Sequence, residues 1–289
     1  MKFGLRYCNT GRYIDTALAT ELVQAGEAAG FDSAWTVEHT VMPRDYVSMY
    51  PYSADGRLAG GQHDIPLPDP LIWMACMAGV TSTIKLATGI LLIPQHNPVL
   101  AAKQIATLDF MSGGRVLLGV GVGWLKEEFD AIGVPFADRG RRTDEYIGAM
   151  RELWSAEQPR FAGEFVNFND VHCRPQPVNG SVPIIIGGHS KAAARRAGRL
   201  GDGFFPARGA PAELIDLVRR SADAAGRDGD AIEITTSLPD DLNDLPAMAK
   251  DGVHRVLVPV TGMAGLAPVI DGPESALHWR DTIERYADL

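Results

Sequence analysis

Short apolar runs alternate with longer stretches of helical spacing from one end of the chain to the other. Eight runs read as strands: Phe3–Cys8, Ser33–Val37, Lys85–Ile93, Arg115–Gly121, Pro183–Ile186, Gly203–Pro206, Ile232–Ser237 and Arg255–Val260. The third and fourth are apolar almost throughout rather than at every second position. Strands that bury both faces belong to a parallel sheet covered by helices. Between the runs the spacing changes. Ile14, Leu18, Leu22, Ala25 and Ala29 recur at helical steps behind Asp15, a residue type suited to capping. Pro70–Thr81 and Thr143–Ser155 read as helices too, and Pro98, Pro211 and Pro273 stand where a first helical turn accepts proline.

A strand followed by a helix, eight times over, predicts a closed (β/α)8 barrel, an α/β fold that takes in residues 1–289 as one domain. The competing topology is an open doubly wound sheet. That fold wants G-x-G-x-x-G after its first strand, where this chain reads Cys8-Asn9-Thr10-Gly11. Two insertions interrupt the alternation. Thr40–Pro68 is rich in Tyr, Pro and Gly, including Gly60 and Gly61, and Glu157–Val182 carries an alternating stretch, Arg160–Phe168, that reads as a β-hairpin. Long loops in compact domains are usually lids or binding loops.

Composition narrows the function. The net charge of −9 argues against nucleic acid as a partner. No apolar run reaches the roughly 18 residues that span a bilayer. The first residues lack an export pattern, and Cys8, Cys76 and Cys173 lie far apart, which suits a reducing, cytoplasmic setting. There the sequon Asn179-Gly180-Ser181 is read as chance.

In parallel α/β folds, ligands bind at the C-terminal ends of the strands. Glu38-His39 closes the second strand there, so His39 is either an acid/base with a carboxylate beside it or a structural imidazole beneath the next loop. Gly89 and the series Gly119, Gly121 and Gly123 are either a backbone cradle or tight turns. Gly187-Gly188-His189-Ser190 follows a buried strand and opens a helix, which makes it either a phosphate site or a plain turn with Ser190 as cap. The sequence lacks paired metal-ligating His or Cys, opposed catalytic carboxylates and a G-x-S-x-G elbow. What remains is a metal-free site of His, carboxylate and bare backbone, suited to an organic cofactor.

These residues carry a resemblance. Asp69-Pro70, Ile84–Pro94, Pro98–Gly123 and Pro183–Ser190 together resemble the bacterial luciferase-like monooxygenase superfamily, which contains FMN-dependent monooxygenases and enzymes of the deazaflavin coenzyme F420. Trp35–Pro43, Gly123–Phe129 and Arg142–Glu145 look most like the F420-dependent branch. The resemblance implies hydride transfer between F420 and a small organic substrate in a cytoplasmic homodimer. Glu38 and His39 would both lie at the deazaflavin, His39 acting beside the reacting ring and Glu38 positioning it. The resemblance further implies a bulge with a non-prolyl cis peptide at Gly89-Ile90 supporting the ring. Gly121 and Gly123 would line ring and ribityl chain, and Gly187, Gly188 and His189 would meet the phosphate. Arg44, Arg57, Lys191 and Arg195 are candidates for the coenzyme's anionic tail. One departure is Trp124, where some F420-dependent dehydrogenases carry Glu; it implies a more apolar substrate pocket. The alternatives are an FMN-dependent monooxygenase and a barrel that holds cofactor without turnover.

Overall fold

The computed structural model describes residues 1–53, 55–58, 63–206, 209–263 and 265–289. Parallel strands β1 (Lys2–Arg6), β2 (Ser33–Thr36), β3 (Lys85–Thr88) and β4 (Val116–Val120) form half of a closed barrel. A two-stranded hairpin, β5 (Phe161–Ala162) with β6 (Asn167–Phe168), lies outside it, as the alternation of Arg160–Phe168 predicts. Strands β7 (Ile184–Gly187), β8 (Gly203–Phe205), β9 (Glu233–Ser237) and β10 (Arg255–Pro259) complete the barrel, and β10 closes onto β1. The expected (β/α)8 fold is therefore present.

Helices α1 (Thr16–Ala29), α2 (Pro70–Ala78), α3 (Pro98–Ser112), α4 (Lys126–Ile132), α5 (Arg139–Ser155), α6 (Lys191–Leu200) and α7 (Ala212–Asp223) come between strands, and α8 (Leu245–Lys250) precedes β10. Two short helices, α9 (Pro273–Leu277) and α10 (Arg280–Arg285), end the chain. Their starts follow local chemistry. Asp15 accepts the N–H groups of Ala17 and Leu18 at 2.9 and 3.1 Å, and Ser190 accepts that of Ala193 at 3.1 Å.

Two apolar layers explain why the strands read apolar on both faces. Leu5, Ala34, Leu86, Leu118 and Ile184 point outward to the helices. Trp35, Ala87, Leu117, Ile185, Phe205 and Leu257 fill the lumen, with Ile90 against them. Each fully buried side chain of this kind contributes about 1.5–3 kcal/mol. A column of cations and rings runs up the lumen. The Arg255 guanidinium lies 5.7 Å from the Trp35 ring, Trp35 meets Phe205 edge-on at 5.5 Å, and Arg6 sits 5.1 Å from Phe205 on the far side.

The starts of the strands form one end of the barrel, and charge is neutralised there. Arg255, 1% exposed, donates to Asp32 at 3.0 Å and pairs with Glu233, which also takes Lys2, while Lys85 reaches Asp32 at 3.2 Å. Burial by itself pushes the carboxyls of Asp32 and Glu233 upward, but Arg255 and the lysines outweigh it and hold both below their ordinary values.

The largest departure from the expected bounds is in the third strand, which ends at Thr88 rather than Ile93. The Gly89–Ile90 peptide is cis, as the resemblance implies, and the chain swings out before Leu91 rejoins the sheet through bonds with Gly119 and Gly121. An apolar run cannot reveal such a bulge, because Leu91, Leu92 and Ile93 stay buried beyond it. In the first insertion, Tyr46 and Leu58 are buried, whereas Gly60 and Gly61 lie outside the described residues.

Candidate active site

The C-terminal ends of the strands open into a cavity of about 800 Å³. Its lining includes Glu38, His39, Gly89, Ile90, Gly123, Gly187, Gly188 and His189, so most of the residues singled out from sequence share one space. Gly121 is not on that lining. A Cβ there would collide with Cδ1 of Ile90, so its bare backbone makes room for the bulge rather than for a ligand.

Glu38 and His39 do not pair with each other. Adjacent residues of an extended chain point to opposite sides, and each finds a remote partner. Glu38, 8% exposed, accepts the N–H of Leu92 just beyond the bulge, and its Oε1 lies 2.8 Å from His96 Nε2. Burial pulls His96 downward, but the bond and charge of Glu38, with Asp69 and Glu128 behind, raise it above its ordinary value. His39 Nδ1 lies 3.1 Å from Oε2 of Glu128, a fully buried residue of α4 whose other oxygen takes the N–H groups of Thr40 and Val41 at 2.6 and 3.3 Å. Glu38 is expected from sequence to sit against His39; the carboxylate that meets His39 in the structure is that of Glu128.

The same turn of α4 holds the insertion. Glu127 accepts the N–H groups of Val47 and Ser48 at 2.7 and 3.2 Å. Burial pushes its carboxyl up, yet these bonds and the Ser48 hydroxyl bring it down to about 2. Anchored in this way, the insertion leans over the cavity. Tyr46 and Tyr50 meet Trp124 edge-on at 5.6 and 5.1 Å, and His39 meets it at 6.0 Å. Tyr52, its hydroxyl pushed up by burial, bonds the backbone of His189 on the opposite rim. The aromatic wall around Trp124 agrees with the apolar pocket expected at that position.

Three arginines line the cavity among the described residues, none of them a sequence candidate. Arg139 donates to the carbonyl of Gly123 at 3.2 Å and lies 3.8 Å over Phe136. Arg196 is paired with Asp144. Arg6 has no carboxylate partner among the described residues. Arg195 is exposed while Arg196 faces inward, since one residue turns the helix by about 100°. Arg44, Arg57 and Lys191 are not part of the lining either, and Arg57 is spent on the Tyr46 carbonyl at 2.8 Å.

Comparison with known proteins places this geometry. A family model described as luciferase-like monooxygenase matches residues 7–286. An uncharacterized protein of Mycobacterium tuberculosis is 34% identical over 89% of this chain and 91% of its own. An F420-dependent glucose-6-phosphate dehydrogenase of Kineococcus radiotolerans is 31% identical over 82% of this chain and 67% of its own. An FMNH2-dependent dimethylsulfone monooxygenase of Pseudomonas putida is 37% identical over 50% of this chain and 42% of its own. Among solved structures, an F420-dependent secondary alcohol dehydrogenase in complex with an F420–acetone adduct shares the fold, with a TM-score of 0.76 at 19% identity over 99% of both chains.

Proposed function

The chain belongs to the luciferase-like monooxygenase family, and from that premise we propose that it is an F420-dependent oxidoreductase moving a hydride between the coenzyme and a small organic substrate. The observation that carries an enzymatic reading is the His39–Glu128 pair facing a cavity floored by backbone at Gly89–Ile90. F420 is preferred to FMN because the F420-dependent relative aligns with 82% of the chain and the FMNH2-dependent one with 50%.

The residues present fit such a coenzyme. Gly187, Gly188 and His189, at the capped start of α6, offer a backbone cradle for phosphate, while Gly89, Ile90 and Gly123 leave a flat face for a ring. When bound there, a deazaflavin supplies two-electron hydride chemistry that side chains lack. The protein's own contribution is positioning and protonation. Glu128 fixes Nδ1 of His39, which leaves Nε2 as the nitrogen that takes or gives a proton. Glu38, clamped between Leu92 N–H and His96, holds the bulge in place from below. Trp124, Tyr46 and Tyr50 exclude water from the mouth.

Equilibrium binding of F420 and of FMN to the purified protein tests the reading. F420 should bind more tightly and weaken as salt rises, because exposed ion pairs are screened over about 8–10 Å. Tighter FMN binding at every salt concentration, with oxygen consumed by the reduced flavin, would support the monooxygenase reading instead. Bound coenzyme without turnover would leave only a carrier.

The expected homodimer remains part of the proposal. Helices α2 and α3 pack together and expose Ile72, Leu100, Phe110 and Met111, which suits a covered face. Light scattering behind a sizing column checks it, and a monomer at micromolar concentration would remove it.

A further inference from the structure

The strands of the barrel leave one charge unanswered. Arg6 ends β1, points into the lumen above Phe205 and lines the cavity with only 7% of its surface exposed. A guanidinium carries five N–H donors. Among the described residues one of them is used on a side chain, Nη1 to Ser237 Oγ at 2.7 Å, and Nε is buried with no partner at all. Among the described residues no carboxylate comes within ion-pair distance of it. Arg115, buried to a similar degree, shows the ordinary solution without a counter-ion. Its Nε, Nη1 and Nη2 reach the Ser112, Ile84, Ala78 and Thr81 carbonyls and the Thr81 hydroxyl at 2.7–3.1 Å. A buried cation that has neither counter-ion nor filled donors is costly in the free protein. Such a group is retained where a ligand completes it.

We propose that Arg6 is the anchor for a carboxylate of the substrate, so that the enzyme acts on small monocarboxylic acids with an apolar body. This deepens the functional reading above and rests on it for the word substrate. Donor supply picks out the anchor. Of the three arginines that line the cavity among the described residues, Arg196 is paired with Asp144 and Arg139 donates to the Gly123 and Phe136 carbonyls, so Arg6 is the one left with a buried donor unmet. One cation matches a monoanion, and a guanidinium takes a carboxylate through two parallel N–H bonds. Position separates this site from the coenzyme cradle. In the ring of eight strands β1 stands four places from β7 in either direction, so Arg6 begins on the wall opposite Gly187–His189. Phe205, Leu92, Met263, Leu266 and Trp124 supply apolar wall to the same cavity and suit a hydrocarbon body.

The shared chemistry is an oxyanion, and a coenzyme phosphate or tail carboxylate is the other possible source. Calorimetry on the full chain separates the two. Hexanoate and its neutral match hexanamide are titrated into the protein with and without F420, and F420 is titrated separately, for the unchanged protein, Arg6→Met and Arg6→Lys. Hexanoate should bind at least tenfold more tightly than hexanamide. Arg6→Met should abolish that preference while leaving F420 affinity within about twofold, and Arg6→Lys should restore part of it. The Lys variant keeps a cation at the site and so covers the case in which Met does not fold. Loss of F420 affinity in step with the substitutions would assign Arg6 to the coenzyme and overturn the proposal. Equal binding of acid and amide by the unchanged protein would overturn it as well. Arg6-dependent hexanoate binding in a protein that fails to bind F420 would uphold the anchor and remove the cofactor reading, so the two can fail separately.

Discussion

Arg6 and Arg255 lie on neighbouring strands of one barrel, both are buried, and both flank the same pair of lumen rings. Arg255, at the N-terminal end, is closed between Asp32 and Glu233, while Arg6, at the C-terminal end, has among the described residues one hydroxyl and no counter-ion. The same residue type in the same layer system thus serves two purposes. At one end the chain answers its own charge and gains stability. At the other it leaves charge, donors and a His39 nitrogen unanswered, which costs stability and keeps binding capacity. This division matches the general rule that catalysis gathers at the C-terminal face of such barrels.

Substitution at Arg255 should break the comparison most severely. Arg255→Met removes the buried cation that Asp32 and Glu233 share, leaving them only Lys85 and Lys2, and should lower stability by about 3 kcal/mol, read by urea denaturation, with coenzyme binding per folded molecule unchanged. A change below 1 kcal/mol would show that the lower network is not the stabilising end. His39→Ala probes the other end. Turnover should fall roughly 10²–10³-fold while the thermal midpoint stays close to that of the parent. Near-normal turnover in the folded variant would make His39 a structural group.

Removing the unanswered cation is expected to cost the fold little. Arg6→Met should leave unfolding free energy within about 1 kcal/mol or raise it, since no ion pair is broken and a desolvated charge is removed. A loss as large as that at Arg255 would mean that Arg6 has partners in solution.

The smallest effects are in pH. Asp32 and Glu233 have lowered values, so their contribution is complete above the ordinary carboxylate range and is lost as pH falls through the lowered values. His96 is raised, so the Glu38–His96 contribution is complete below its ordinary 6.5 and is lost as pH rises through the raised value. The lower end should therefore weaken in acid and the upper end in mild alkali. Thermal midpoints from about pH 3 to about pH 9 should show the acid limb flattened in Arg255→Met and the alkaline limb flattened in His96→Gln. Unaltered limbs would detach these groups from the transitions.

The barrel is legible in the sequence because its strands must satisfy lumen and helices at once, and residues such as Leu86-Ala87 or Ile184-Ile185 carry that double burial openly. The gathering of Glu38, His39, Gly89 and Gly187 at one mouth follows from their places at strand ends. Glu128 is not legible. An acidic residue in the first turn of a helix is what the helix dipole ordinarily favours, and nothing local points it at residue 39, 89 positions away. The cross-pairing of Glu38 with His96 is hidden for the same reason, since adjacency in sequence suggests a pair that an extended backbone forbids. Arg6 does leave a signal: a lone arginine closing the otherwise apolar Phe3-Gly4-Leu5 run, on the inward side of the alternation.

Ile90 adds a consequence for how this chain can change over generations. Its side chain occupies the volume that a Cβ at Gly121 or at Gly187 would need, the latter approaching Ile90 Cγ2 to 2.6 Å. An alanine at either glycine is unfavourable while Ile90 keeps this conformation, because the added methyl group overlaps its side chain. The reverse step is open. A smaller residue at position 90 removes that overlap at both glycines, and once either has gained a methyl group the return to isoleucine becomes costly. The three positions therefore behave as a ratchet in lineage space, in which the order of substitutions decides which sequences can be reached. Related chains should fall into two groups, bulky at 90 with two glycines or small at 90 with free variation, and intermediates carrying both bulk and methyl should be missing.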